Sequence, residues 1–212
     1  MMTVLMTGFE PFNGSAINPS WEAVSLAAER HREVVAVRLP CEFDTTAAAL
    51  RAAIERHRPD VVVCVGQAGR REEVTPEYVA INVLDTPIPD NVGTQPRDLP
   101  VLEGGPAAYF TSLPVKAAAT AIRAAGIPGS VSYTAGTTGC NHAFYCLMHL
   151  LATEFLGLRG GFVHVPFSPE QSAARGTGPS LPIEQSAAAL QIVVETALST
   201  GEDAKASAGA LH

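Results

Sequence analysis

The sequence predicts an α/β fold, and three observations carry that reading. Short β-branched runs alternate with helical patterns along the chain. Residues 60–65 (DVVVCV) are almost wholly apolar, as in a strand covered on both faces. Gly (18) and Pro (16) are plentiful, which favours long structured loops over a helical bundle.

In order, residues 3–7 (TVLMT) predict a buried strand and 8–18 a loop. Pro19 suits the first turn of a helix that reaches about Arg30. Val34–Leu39 predicts a second strand, Phe43–His57 an Ala-rich helix, and 60–65 a central strand with a loop at 66–69. Residues 73–83 read as extended and 84–112, with five prolines, as a long ordered loop. A helix at 116–125 ends at Gly126, and a strand follows at 129–133. The rest reads as a helix at 140–156, a strand at 161–165, a loop at 172–180 and an amphipathic helix at 183–198. Residues 1–200 therefore form one α/β domain, and 201–212 are expected to be a disordered tail.

The chain has 212 residues, 47% of them hydrophobic and 17% charged, enough apolar material for a core and too little charge for disorder. Its net charge of −7 lacks the footprint of a nucleic-acid binder. No run approaches the roughly 20 apolar residues of a membrane span. The start of the chain has no basic segment leading into an apolar one. Cys41, Cys64, Cys140 and Cys146 form no C-x-x-C pair. A cytoplasmic protein with reduced thiols is expected.

Ligands of open α/β sheets bind at the carboxyl ends of strands. Four clusters fall there: residues 8–18, 66–69, 135–142 and 164–171. Cys140 stands where a strand and loop give way to a helix, and a helix amino end favours a thiolate. A buried structural Cys is the bland alternative, and the neighbouring Gly136, Gly139 and Asn141 argue against it. His164 closes the next strand, which places it beside that helix start, although a His in an apolar strand is more often a core residue. Glu77 lies in an extended run, and alternation puts it on the face of Val79, Ile81 and Val83. Pattern alone weighs equally a carboxylate paired with an imidazolium and a solvated edge residue.

A rival constellation is a metal face of His142, Cys146 and His149, which fall within roughly 60° of one another on a helix. Its spacing fits no common zinc pattern, so thiol chemistry is the stronger reading. Residues 8–14 (GFEPFNG) follow the first strand but lack phosphate-loop spacing and carry Glu10. Phe9 and Phe12 suit flat apolar walls, or simply core packing.

The runs TGFEPFNG, INPSWEAV, VVVCVGQAGRREEVTPEYVAIN, PIPDNVGTQP, GGPAAYF, VSYTAGTTGCNHAFY and GGFVHVPFSPEQ, in this order over residues 3–171, resemble the type I pyroglutamyl peptidases. The resemblance implies a three-layer α/β/α sandwich with a mixed, mostly parallel central sheet. It implies a cytosolic, homotetrameric cysteine peptidase with no cofactor or metal, acting on peptides that begin with pyroglutamate. It places the nucleophile on Cys140, the base on His164 and the acid on Glu77. Substrate contacts fall on Phe9, Phe12, Asn18, Gln67 and Ile88, with Thr138 and Gly139 beside the cysteine.

Two positions depart from the family pattern. Thr138-Gly139 stands where a bulky apolar pair is usual, and Pro87 where Arg is common. The competing expectations are a homologue that keeps the pocket but turns over weakly or not at all, and, further behind, a metal-dependent hydrolase.

Overall fold

The computed structural model describes residues 2–176 and 178–209. Its centre is a five-stranded sheet in the order β2-β1-β3-β7-β4. The strands are β1 (Val4–Phe9), β2 (Val34–Leu39), β3 (Val61–Gln67), β4 (Thr75–Pro76) and β7 (Arg159–Val165). All pairings are parallel except that of β4 with β7. A small antiparallel pair, β5 (Val79–Ile81) and β6 (Ala108–Phe110), stands apart.

Helices cover both faces, because the strands present apolar residues on both. Val4, Met6, Val61, Val63, Val65, Val163 and Val165 pack with α1 (Pro19–Arg30), α3 (Val115–Ala124) and α6 (Ile183–Ser199). Leu5, Val62, Cys64 and Phe162 pack with α2 (Phe43–His57) and α4 (Gly139–Thr153). The result is the mixed, mostly parallel α/β/α sandwich that the family resemblance implied. No helix among the described residues is long and apolar enough to cross a membrane.

Local chemistry explains several boundaries. Asn18 caps α1 by accepting from the Ser20 N–H, and Pro19 occupies the first turn. A short helix, α5 (Pro169–Ala174), was not expected. It forms because Ser168 and Gln171 close a reciprocal capping box.

Three other expectations change. The long loop at 84–112 contains β6. Residues 129–133 make isolated bridges, Val74 to Gly129 and Glu77 to Ser132, in place of a strand. The face assigned to Glu77 also differs: Val79 and Ile81 are half-buried and Val83 is partly exposed while Glu77 is buried. The chain leaves the main sheet after Pro76 and enters the small one at Val79, so alternation does not run through Glu77.

Residues 201–209 form no helix or strand, yet Asp203 accepts the N–H groups of Lys116 and Ala117 at the start of α3. Residues 210–212 of the expected tail lie outside the described residues.

Candidate active site

The site lies at the carboxyl ends of β3 and β7, on the α2/α4 side. Alternation along β7 puts His164 on the same face as Phe162, two residues earlier, and that face is roofed by α4. His164 is opposite Gly66 on β3 and Thr75 on β4. Cys140 lies in the first turn of α4, one residue after Gly139.

Gly66 makes this approach possible. A Cβ built on Gly66 would come 2.7 Å from the Cys140 Sγ and 2.6 Å from the Phe162 ring. The sulfur thus occupies the space that a side chain on β3 would fill.

His164 connects two groups. Its Nδ1 lies 2.6 Å from the Glu77 Oε1. The other ring nitrogen is left for the Cys140 thiol, whose charge acts on the ring. Burial pushes the imidazole pKa down, but the negative charge of Cys140 and the Glu77 carboxylate bonded to Nδ1 outweigh burial and raise it to about 9. Glu77 is wholly buried, held by its own N–H to the Phe162 carbonyl at 2.9 Å.

The remaining thiols differ. Burial, with a smaller contribution from the charge of Cys140, pushes Cys41 up to about 12. Burial likewise takes Cys64 and Cys146 to about 12, so none of the three supplies a thiolate near neutrality.

In front of Cys140 opens a cavity of about 600 Å³, its mouth included. Phe9, Phe12, Asn18, Gln67, Ile88, Thr138, Gly139 and Cys140 all line it, which brings together every pocket residue singled out above. Sequence reasoning missed Cys41, Phe43, Thr46 and His142, also in its wall. Pro87 is exposed and does not line it.

The polar lining is pre-set by neighbours. Asn18 is largely committed to structure: its Oδ1 accepts from the Ser20 N–H and hydroxyl, and its Nδ2 donates to the Glu10 carbonyl. The Gln67 Oε1 accepts from the Gln171 Nε2 at 3.2 Å, which leaves the NH₂ of this pocket-lining residue as its donor. Asp90 accepts the Phe43 N–H, and Asn91 donates to Glu10, so the loop carrying Ile88 is laced to the pocket rim.

Thr138, the N-cap of α4, makes no side-chain cap, so first-turn N–H groups remain free to bind an anion. Gly139 does not need a left-handed backbone, and a Cβ there meets open space.

The proposed metal face does not assemble. The His149 Nδ1 pairs with the Tyr109 hydroxyl at 2.8 Å, and the His142 Nε2 sits 3.7 Å from the Cys146 Sγ. Among the described residues, no group of three His, Cys, Asp or Glu side chains could hold a metal ion. Burial, only partly opposed by Asp44, lowers His142 to about 4 and keeps it neutral.

A family model described as pyroglutamyl peptidase matches residues 2–200. The chain belongs to the pyroglutamyl peptidase family. It is 51% identical to a pyrrolidone-carboxylate peptidase of Pectobacterium carotovorum, over the whole of both chains. A relative of the same name in Streptomyces coelicolor is 52% identical, again over both entire chains. The crystal structure of pyroglutamyl peptidase I from Bacillus amyloliquefaciens superposes with a TM-score of 0.94 at 44% identity, covering 98% of this chain and all of that one.

Proposed function

We propose that this protein is a thiol peptidase that removes an N-terminal pyroglutamyl (5-oxoprolyl) residue from peptides and proteins. One observation carries the reading: the Cys140 sulfur lines an aromatic-walled pocket and lies against Gly66, the strand position opposite His164, whose ring is held by Glu77. Family membership supports it.

In this reading His164 and the amino end of α4 hold Cys140 as a thiolate. The sulfur attacks the carbonyl that joins pyroglutamate to the next residue. The oxyanion is met by free first-turn N–H groups, with that of Cys140 the nearest to the sulfur. His164 then passes its proton to the leaving amine and a thioester remains. The neutral imidazole takes a proton from water, hydroxide attacks the thioester, and the acid and thiolate are regenerated. Glu77 fixes the ring through Nδ1 and stabilises its charged form. These steps use side chains, backbone N–H groups and water, without a metal or cofactor.

The substrate ring is a neutral lactam. Phe9 and Phe12 offer flat walls for it, and Gln67 offers a donor for the ring carbonyl. N-terminal proline lacks that carbonyl and would leave the donor unpaired, a loss that polar sites discriminate strongly.

A cytoplasmic location belongs to the proposal, supported by the need for reduced Cys140 and by four free thiols. So does a homotetramer, supported by exposed Phe110 and Tyr133 packed on half-buried Tyr78, a cluster of the kind a subunit contact covers.

A fluorogenic pyroglutamyl amide, assayed with and without a thiol alkylator, tests the function. Hydrolysis that alkylation and Cys140→Ala abolish, and that Cys146→Ala spares, is expected. A folded protein that binds a pyroglutamyl inhibitor without turnover would identify a pocket-retaining homologue. Activity that survives in Cys140→Ala would end the thiol mechanism.

A further inference from the structure

Glu77 is bound on one oxygen only. Its Oε1 takes both the His164 ring and, at 2.5 Å, the Arg71 guanidinium, while its Oε2 is buried with no partner among the described residues. A carboxylate without solvent contact is costly unless a cation compensates it. His164 cannot be the standing compensator, because its proton leaves and returns in each turnover. Arg71 can, since its guanidinium stays charged at every working pH.

The same guanidinium also bonds the Thr75 hydroxyl and the Thr134 carbonyl, at 2.5 and 2.8 Å. It thereby clamps the loop after β3, the strand β4 and the segment leading to Cys140. Its outer side reaches a surface cleft where the other charged groups are Glu72 and Glu73, and Glu73 is engaged by Ser130. We infer that Arg71 is a positioning residue that keeps Glu77 ionised and aimed at His164 while the imidazole changes charge. This inference rests on the reading of Cys140, His164 and Glu77 as the reacting triad.

The test compares Arg71→Met and Arg71→Lys with the unaltered protein, using the pyroglutamyl amide across the pH range. Without the cation, nothing offsets the charge of the buried carboxylate while the imidazole is neutral. In Arg71→Met the acid limb of kcat should therefore move up by about one pH unit or more. At the optimum kcat should fall on the order of 10- to 100-fold, as for loss of an assisted proton transfer, with KM little changed. Arg71→Lys keeps the charge but cannot hold all three partners, so it should restore the position of the limb and only part of kcat.

An unmoved limb, with Lys no better than Met, would reduce Arg71 to a loop clamp and overturn the inference. Infrared difference spectra between the unaltered protein and Glu77→Gln read the carboxylate without substrate, or if Arg71→Met fails to fold. A carboxylate band that persists at acid pH supports the inference, and a protonated carbonyl band near neutrality overturns it. Absence of turnover in the unaltered protein would instead count against the proposed function, leaving the spectra to decide on Arg71.

Discussion

On one face of the sheet, α1, α3 and α6 press Ala23, Ala27, Ala118, Ala187 and Ala197 among valines and leucines. On the other, α2 and α4 cover the face that also carries His164, Gly66 and the Cys140 thiol. Both layers bury apolar area, worth roughly 25 cal/mol per Å². The first is packed chiefly for that, with only the small hydroxyls of Ser20 and Ser186 buried on its helices. The second gives up packing at one strand position, where Gly66 has no side chain, and admits polar groups there. Each of those groups is held by another: His164 by Glu77, Glu77 by Arg71, Gln67 by Gln171. The difference teaches that this site is a local exception in one layer, sustained by a hydrogen-bonded chain, and that the other layer, away from the Asn18 cap of α1, can be perturbed without touching chemistry.

Glu77→Gln should break this contrast most sharply. The amide keeps shape and removes charge, so turnover should fall on the order of 10²- to 10⁴-fold, while binding of an uncharged pyroglutamyl inhibitor stays near normal. An NMR titration should show His164 moving down from about 9, because a nearby negative charge no longer favours its protonated form. Stability follows the same sign. A folded-state pKa raised from 6.5 to about 9 stabilises the protein fully below 6.5, and this is lost as pH rises through 9. Glu77→Gln should flatten that decline in denaturant titrations, and normal kinetics would remove Glu77 from the triad.

Gly66→Ala comes next. Its methyl meets the Cys140 sulfur and the Phe162 ring, and displacing a nucleophile by about 1 Å costs on the order of 100-fold in rate. Overpacking should also lower stability by roughly 1–3 kcal/mol. Unchanged kinetics would show that the sulfur's place is set elsewhere.

The double variant Thr138→Phe, Gly139→Val sharpens the comparison by adding packing where the active layer has least. A side chain on Gly139 enters open space without backbone strain. A buried large side chain is worth roughly 1.5–3 kcal/mol, so inhibitor binding should tighten about tenfold or more. Calorimetry that shows no gain would mean the pocket is already closed over its ligand.

Asp203→Ala, on the other layer, should have the smallest effect. It removes the cap on α3 at a cost of about 1 kcal/mol, visible in thermal melts, with kcat and KM unchanged.

Much of this was legible in the sequence because it is local. Residues 60–65 signal a central strand by composition, Pro19 a helix start by its fit to the first turn, and the family runs point to Cys140 and His164. What escaped is non-local. Whether Glu77 is buried depends on the chain changing sheets between Pro76 and Val79, which alternation cannot register. Arg71 sits in a charged loop that reads as solvated until β4 and residues 132–134 fold around it. Cys41, Phe43 and His142 reach the pocket wall only because α2 and α4 pack together. The short β6 has no partner within its own stretch of chain, so nothing local marks it as a strand.

The glycine on β3 also has a consequence for construction. A Cys–His–Glu set could be grafted onto many parallel sheets by matching three side chains to three positions. Such a graft would fail wherever the neighbouring strand carries even an alanine opposite the histidine, because the sulfur would have no room to arrive. The transferable unit is four residues, and the fourth is recognised by having no side chain.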